Sequence, residues 1–129
     1  RSPLIRIPAA RGVGTRVELR CPDPAANPYL VLAACLEAGL DGIRNQITPP
    51  DAVTENVFEM QLQQRAKLGI ESLPGDLEQA VEELEKDDYI KNVLGGHITE
   101  KYLEAKRAEW ADYRAQVTEW EIEKYLYKI

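Results

Sequence analysis

The sequence predicts an α+β chain: an N-terminal antiparallel β-strand pair followed by a mainly α-helical region. Three observations carry this. Two short runs rich in branched residues, Leu4–Ile7 and Thr15–Cys21, flank the turn-forming stretch Pro8-Ala9-Ala10-Arg11-Gly12-Val13-Gly14. Asn27-Pro28 precedes an apolar run, Tyr29 to Leu36, which reads as a capped helix start. From Leu77 onward, apolar residues recur at helical spacing. The chain divides into residues 1–21 (strand pair), 22–46 (buried helix), 47–75 (long connection) and 76–129 (helical region).

In the second strand, Thr15, Val17, Leu19 and Cys21 alternate with Arg16, Glu18 and Arg20. Successive strand side chains point to opposite faces, so the three charged groups are expected on one face. Pro22 to Pro28 is a rigid connector, with Asn27 as N-cap and Pro28 in the first helical turn. The helix runs to about Asn45. It is apolar nearly all round at its start, which predicts burial, with part of its cover coming from elsewhere. Pro49 and Pro50 close it, and a polar connection of weak periodicity follows. Helices resume with Leu77, Val81 and Leu84 on one stripe and Glu82 to Lys86 as an i,i+4 pair. After Gly95-Gly96 a long amphipathic helix carries Ile98, Tyr102, Ala105, Trp110, Tyr113 and Val117. From Thr118 the tail keeps Trp120, Ile122, Tyr125, Leu126, Tyr127 and Ile129, unusually apolar for a terminus.

Composition bounds the function. With 129 residues, 44% hydrophobic and 29% charged, the chain has the size of one domain or of a piece of a larger protein. Its longest apolar stretch falls well short of the roughly 20 residues of a membrane span. Without an apolar leader and with two cysteines, Cys21 and Cys35, a cytoplasmic location is expected. The net charge of −6 hides an asymmetry: residues 1–20 hold five Arg and one acid, a balance of +4, and the rest is −10. An acidic body with an all-Arg end does not suit nucleic acid. It suits a local anion site, because guanidinium forks match carboxylate and phosphate oxygens.

Two readings of the Arg16/Glu18/Arg20 face stay open on residues alone. One is a solvated edge with a surface ion pair; the other is a ligand site, with guanidiniums for anionic oxygens and Glu18 as a hard ligand for Mg²⁺ or Mn²⁺. The stretch Arg11-Gly12-Val13-Gly14-Thr15-Arg16 lacks the spacing and ending of a P-loop. His97 and Glu100, three apart on a helix, read as surface or capping residues, since no second His or Cys lies nearby. Neither cysteine reads as a nucleophile. Trp110, Tyr113, Trp120 and Tyr125 read as core or interface residues.

Three ordered motifs, Arg1-Ser2-Pro3-Leu4-Ile5-Arg6-Ile7-Pro8, Thr15-Arg16-Val17-Glu18-Leu19-Arg20 and Asp23-Pro24-Ala25-Ala26-Asn27-Pro28-Tyr29-Leu30, resemble the C-terminal part of bacterial type I glutamine synthetase. The likeness continues through Ala38-Gly39-Leu40-Asp41-Gly42-Ile43 to the end. It implies a fragment that starts inside the family's Asn-Arg-Ser motif. The resemblance further implies that Arg1 is catalytic and contacts the transferring phosphoryl group at the substrate site, that Arg6 and Arg16 bind the ATP phosphates, that Glu18 is a metal ligand and that Arg20 holds the glutamate carboxylate. Arg11 lies in a loop of variable length and receives no role. ATP and glutamate are the implied substrates with ammonia, and Mg²⁺ or Mn²⁺ the implied metal. The full-length enzyme would be a dodecameric homo-oligomer, with the apolar tail reaching across to the opposite ring. Phe58 stands where adenylylated members carry Tyr, which implies the feedback-inhibited branch. A transcription regulator as partner of a non-catalytic module, and a related ligase using another amine, are the alternatives. The metal carboxylates and His that lie upstream in the family are not in this chain, so the chain alone is expected to be inactive.

Overall fold

The computed structural model describes residues 4–126 and 128. The chain forms two compact units, residues 1–72 and residues 73–129.

In the first unit, β1 (Ile5–Arg6) pairs antiparallel with β2 (Glu18–Leu19). The register sets Ile5 opposite Leu19 and Arg6 opposite Glu18, and Arg20 N–H donates to Leu4 O at 2.8 Å. Both strands are shorter than the predicted Leu4–Ile7 and Thr15–Cys21. Among the described residues no third strand flanks the pair, and an isolated two-stranded ribbon retains little ladder beyond its turn. The turn contains a single 3₁₀ turn, Gly12–Gly14, closed by Thr15 N–H to Gly12 O at 3.1 Å. Gly12 has φ +68°, a left-handed conformation that glycine adopts without the steric penalty of a Cβ.

Helix α1 (Pro28–Arg44) begins as the sequence predicts. The Asn27 side chain accepts from the N–H groups of Tyr29 (3.0 Å) and Leu30 (3.4 Å), and Pro28 occupies the first turn. Its C-terminus closes with Gln46 N–H to Ile43 O and Ile47 N–H to Gly42 O, with Gln46 in the left-handed region at φ +51°. The predicted burial is corrected. No residue of α1 is buried: Tyr29 is 82% exposed, and Leu32, Leu36 and Ile43 on the same side are exposed too. A two-strand ribbon and one short helix offer too little apolar surface to cover a 17-residue helix. The connection after Pro50 is not structureless. It holds a turn at Asn56–Met60, in which the Asn56 side chain accepts from Phe58 N–H, and the six-residue helix α2 (Leu62–Lys67). Met60 is buried and Phe58 is exposed.

In the second unit, α3 (Leu77–Lys86), α4 (Asp88–Leu94) and α5 (Gly96–Arg114) pack on one another. Asp76 caps α3 by accepting from Gln79 N–H at 2.9 Å, and Asp87 caps α4 by accepting from Ile90 N–H at 2.9 Å. The α3 stripe forms as predicted, with Val81 buried and Leu77 and Leu84 half-buried. Buried Thr99 on α5 donates its hydroxyl to Lys91 O of α4 at 3.2 Å, and Arg107 of α5 pairs with Glu85 of α3. Lys86 pairs with Glu83 at 2.8 Å rather than with the predicted Glu82. That bond, ahead of the attraction between the two charges, raises the ammonium pKa. Both i,i+3 and i,i+4 neighbours lie within reach on a helix, and the shorter step is taken here. Among the described residues no helix is long and apolar enough to cross a membrane.

The tail forms one short helix, α6 (Glu119–Glu121), which continues into a wider turn over Ile122–Leu126. Its start is a capping box: Glu121 N–H donates to Thr118 Oγ1 (3.2 Å), and Glu121 Oε2 accepts from Thr118 N–H (2.8 Å) and from its hydroxyl (2.8 Å). These bonds, the backbone N–H first, hold the Glu121 carboxyl below its ordinary pKa. A depressed carboxylate pKa stabilises the fold above the ordinary carboxylate range, and that stabilisation is lost as pH falls through the lowered value. Amide-exchange protection of Ile122, which donates to Thr118 O, is therefore expected to fall on acidification below the ordinary carboxylate range. Glu121→Gln should weaken it and flatten this acid dependence. Unchanged protection across that interval in the wild-type chain would contradict the linkage.

Candidate functional site

The charged cluster assembles on the β ribbon. Pairing opposite one another puts Arg6 and Glu18 on the same face of β1 and β2. Arg6 Nη1 donates to Glu18 Oε2 at 3.0 Å. Arg16, two residues before Glu18, reaches the other oxygen: Nε donates to Oε1 at 2.8 Å and Nη2 lies 2.7 Å from it. Arg16 Nη1 also donates to Gly14 O at 3.2 Å, which ties the arginine to the turn. The Glu18 side chain is 27% exposed, against 53% for Arg6 and 52% for Arg16. The hydrogen bond from Arg16 acts most strongly on the Glu18 carboxyl and desolvation opposes it; with the bond and charge of Arg6 and the charge of Arg16 added, the carboxyl is held below its ordinary pKa. The result is one ionised carboxylate between two guanidiniums, open to solvent and carrying a net charge of +1.

The other predicted residues distribute as follows. Arg20 fixes the ribbon through its backbone; its side chain is exposed and has no hydrogen-bond or ion-pair partner among the described residues. Arg11 Nη1 donates to Pro8 O (2.7 Å) and Ala10 O (3.0 Å), so this guanidinium closes its own loop. Arg1 lies outside the described residues. Cys21 and Cys35 are free and exposed. Trp110 stacks on Tyr113 at 5.7 Å, and Trp120 meets Tyr125 edge-on at 5.8 Å, both far along the chain from the cluster.

The charged face thus extends across the ribbon to Arg6. Arg6, one of the five arginines that the sequence gathers with one acid into a local anion site, is Glu18's direct partner across the ribbon. The signal lay in the turn: Gly12, the left-handed residue, is the midpoint between positions 6 and 18, and register follows from turn geometry.

As a metal ligand, Glu18 offers the right chemistry, a hard ionised oxygen donor. It fits one ligand's share only. Among the described residues no group of three or more His, Cys, Asp or Glu side chains comes together to hold an ion, and His97 with Glu100 makes no such group. What the cluster can do by itself is present two forked cations to anionic oxygens and one carboxylate to a hard cation.

Residues 1–125 match the family described as glutamine synthetase, catalytic domain. The chain is 54% identical to the glutamine synthetase of Clostridium saccharobutylicum over 128 residues, covering 99% of this chain and 29% of that enzyme. Against the glutamine synthetases of Thermotoga maritima and Methanocaldococcus jannaschii it is 56% and 53% identical, each over 98% of this chain and over 29% and 28% of the relative. A solved structure described as apo GmaS without ligand superposes with a TM-score of 0.74 at 41% identity, over 96% of this chain and 27% of that one. The chain therefore spans less than a third of the length of the relatives it matches. Its antiparallel ribbon, its helical remainder and its near-complete alignment with these enzymes lead to one conclusion: the chain belongs to the glutamine synthetase catalytic-domain family.

Proposed function

We propose that this chain forms the C-terminal part of the active site of an ATP-dependent ligase that makes glutamine from glutamate and ammonia. The observation that carries the proposal is the Arg6–Glu18–Arg16 cluster: an exposed pair of guanidiniums around one carboxylate, in a chain that aligns with glutamine synthetases along nearly its whole length. In the reaction, a γ-carboxylate oxygen of glutamate attacks the γ-phosphorus of ATP, the bond to ADP breaks and γ-glutamyl phosphate forms. Ammonia then adds to the acyl carbon, loses a proton, and expels inorganic phosphate. Both steps gather negative charge on phosphoryl oxygens, and fixed positive charge is what lowers their barriers.

Arg6 and Arg16 take the nucleotide phosphates, and Arg1 the transferring phosphoryl group. Arg20, whose side chain is uncommitted among the described residues, takes the carboxylate of glutamate. Glu18 supplies one ligand to Mg²⁺ or Mn²⁺, which when bound neutralises phosphate charge; the remaining ligands come from outside the described residues. The exposed apolar side of α1 and the exposed tail residues Trp120, Tyr125 and Leu126 support packing against the rest of a larger dodecameric assembly. Exposed Phe58 has no hydroxyl to receive an adenylyl group, which supports the feedback-inhibited branch.

A chain with one metal carboxylate does not complete this chemistry. The isolated 129-residue chain is expected to form no glutamine from glutamate, ammonia and MgATP. Glutamine appearing in proportion to added chain, and only with ATP and Mg²⁺ present, would overturn the division of the site proposed here.

A further inference from the structure

We propose that the cleft where α3 begins and α5 ends docks an arginine side chain of a partner polypeptide. The cleft lies within residues 73–129 and measures about 570 Å³, inside the roughly 300–1,000 Å³ of ordinary ligand sites. Asp76 and Leu77 line it from α3, and Glu109, Trp110, Asp112 and Tyr113 from α5. Trp110 and Tyr113 stack at 5.7 Å with 30° between their planes, and Tyr113 is 66% exposed, so the pair offers an open π-face. Elsewhere in the helical unit the chain sets its own cations over such faces: Lys106 over Tyr102 at 5.8 Å and Lys124 over Trp120 at 6.0 Å. Among the described residues no cation sits over Trp110 or Tyr113.

The charge beside the aromatic pair is negative. Lys106 neutralises Glu109 at 2.6 Å. Among the described residues, the Asp112 side chain accepts only from Gln116 Nε2 (3.4 Å), and Asp76 only from the backbone and side-chain N–H groups of Gln79 (2.9 and 3.2 Å). These donors are neutral, so both carboxylates keep their charge. Asp112 also stands in the last turn of the 19-residue α5, at the negative end of the helix. Among the described residues no carboxylates gather closely enough to hold a metal ion; a flat organic cation needs no such gathering. An aromatic face beside carboxylates suits a guanidinium better than an ammonium, because the guanidinium stacks and forks at once. Each attraction is weak where water reaches it, so a free cation is held only at roughly tens of millimolar. A polypeptide adds cover over Tyr113 and Leu77, and it brings carbonyl oxygens. Those matter for half-buried Trp110, whose Nε1 is buried with no hydrogen-bond partner among the described residues. A buried donor without an acceptor is rare, and a peptide carbonyl seated against the ring supplies one.

The test titrates an acetylated, amidated Ala-Arg-Ala tripeptide into the full 129-residue chain and follows the indole N–H resonances of its two tryptophans. Trp120, already paired with Tyr125 and Lys124, is the internal control. The peptide is expected to move the Trp110 resonance and leave Trp120 in place. It should bind roughly fivefold tighter than the same peptide with Lys for Arg, and tighter than arginine amide alone. Asp112→Asn keeps an acceptor for Gln116 and removes the charge; it should weaken the arginine peptide about threefold. No movement of Trp110, or equal movement of both indoles, would overturn the site. Equal affinity for the Arg and Lys peptides would reduce it to bulk charge, and equal affinity for arginine amide would remove the polypeptide; either result refutes the proposal. Should Asp112→Asn lose helical circular dichroism, the three ligands on the wild-type chain decide alone.

Discussion

Replacing Glu18 by Ala in the full-length ligase is expected to lower kcat by about two to three orders of magnitude, the scale of losing one preorganised charge-stabilising group at a reacting centre. Glu100→Ala, on exposed α5 surface, should stay within about twofold of wild type, as a substitution away from reacting groups does. The size of the first effect has two sources. Ala removes a hard oxygen ligand, and it also leaves Arg6 and Arg16 without the carboxylate that aligns them. Glu18→Gln separates the two, because the amide oxygen still accepts from one guanidinium while the formal charge is gone. Turnover of Glu18→Gln close to that of Glu18→Ala would assign the loss to the missing charge; turnover near wild type would assign it to alignment. Steady-state kinetics with purified variants measure all three, and equal losses for Glu18→Ala and Glu100→Ala would move the reacting centre away from the ribbon.

How much of this could be read from residues depends on the range of the interaction involved. The start of α1 is written in Asn27-Pro28, because capping is a contact between residues two or three apart. The α3 stripe was legible for the same reason, through the spacing of Leu77, Val81 and Leu84. Arg16 and Glu18, two apart, were placed together from local geometry, and they are bonded. Charge asymmetry alone gathers Arg6 into the same anion site, but its register opposite Glu18 is not legible, since that partner is twelve residues away and only the turn fixes the pairing. The short helices α2 and α4, of six and seven residues, carry too few turns for periodicity to show. The burial of α1 failed for another reason. Apolar composition states that a helix needs cover, but not whether the same chain supplies it, and here Tyr29, Leu32, Leu36 and Ile43 remain exposed.

That contrast sharpens the expectation for the helical unit, where cover is supplied internally. Val81 is the one large apolar side chain of residues 73–129 that the described residues bury, at 6% exposure. It sits on α3, which packs against both α4 and α5. Val81→Ala removes two methyl groups from this contact, and α3, tied to α5 by Arg107–Glu85, has little freedom to close the space. Transfer of a buried valine side chain and the void it leaves together amount to about 2 kcal/mol. For a unit of this size that corresponds to a fall in Tm of roughly 10 °C. Leu126→Ala, at an exposed position in the tail, is the matched control and should change stability by less than about 0.5 kcal/mol. Thermal and urea unfolding of the 129-residue chain, followed by helical circular dichroism, compares the two. Equal destabilisation by both substitutions would mean that α3 does not seat the helical unit through Val81.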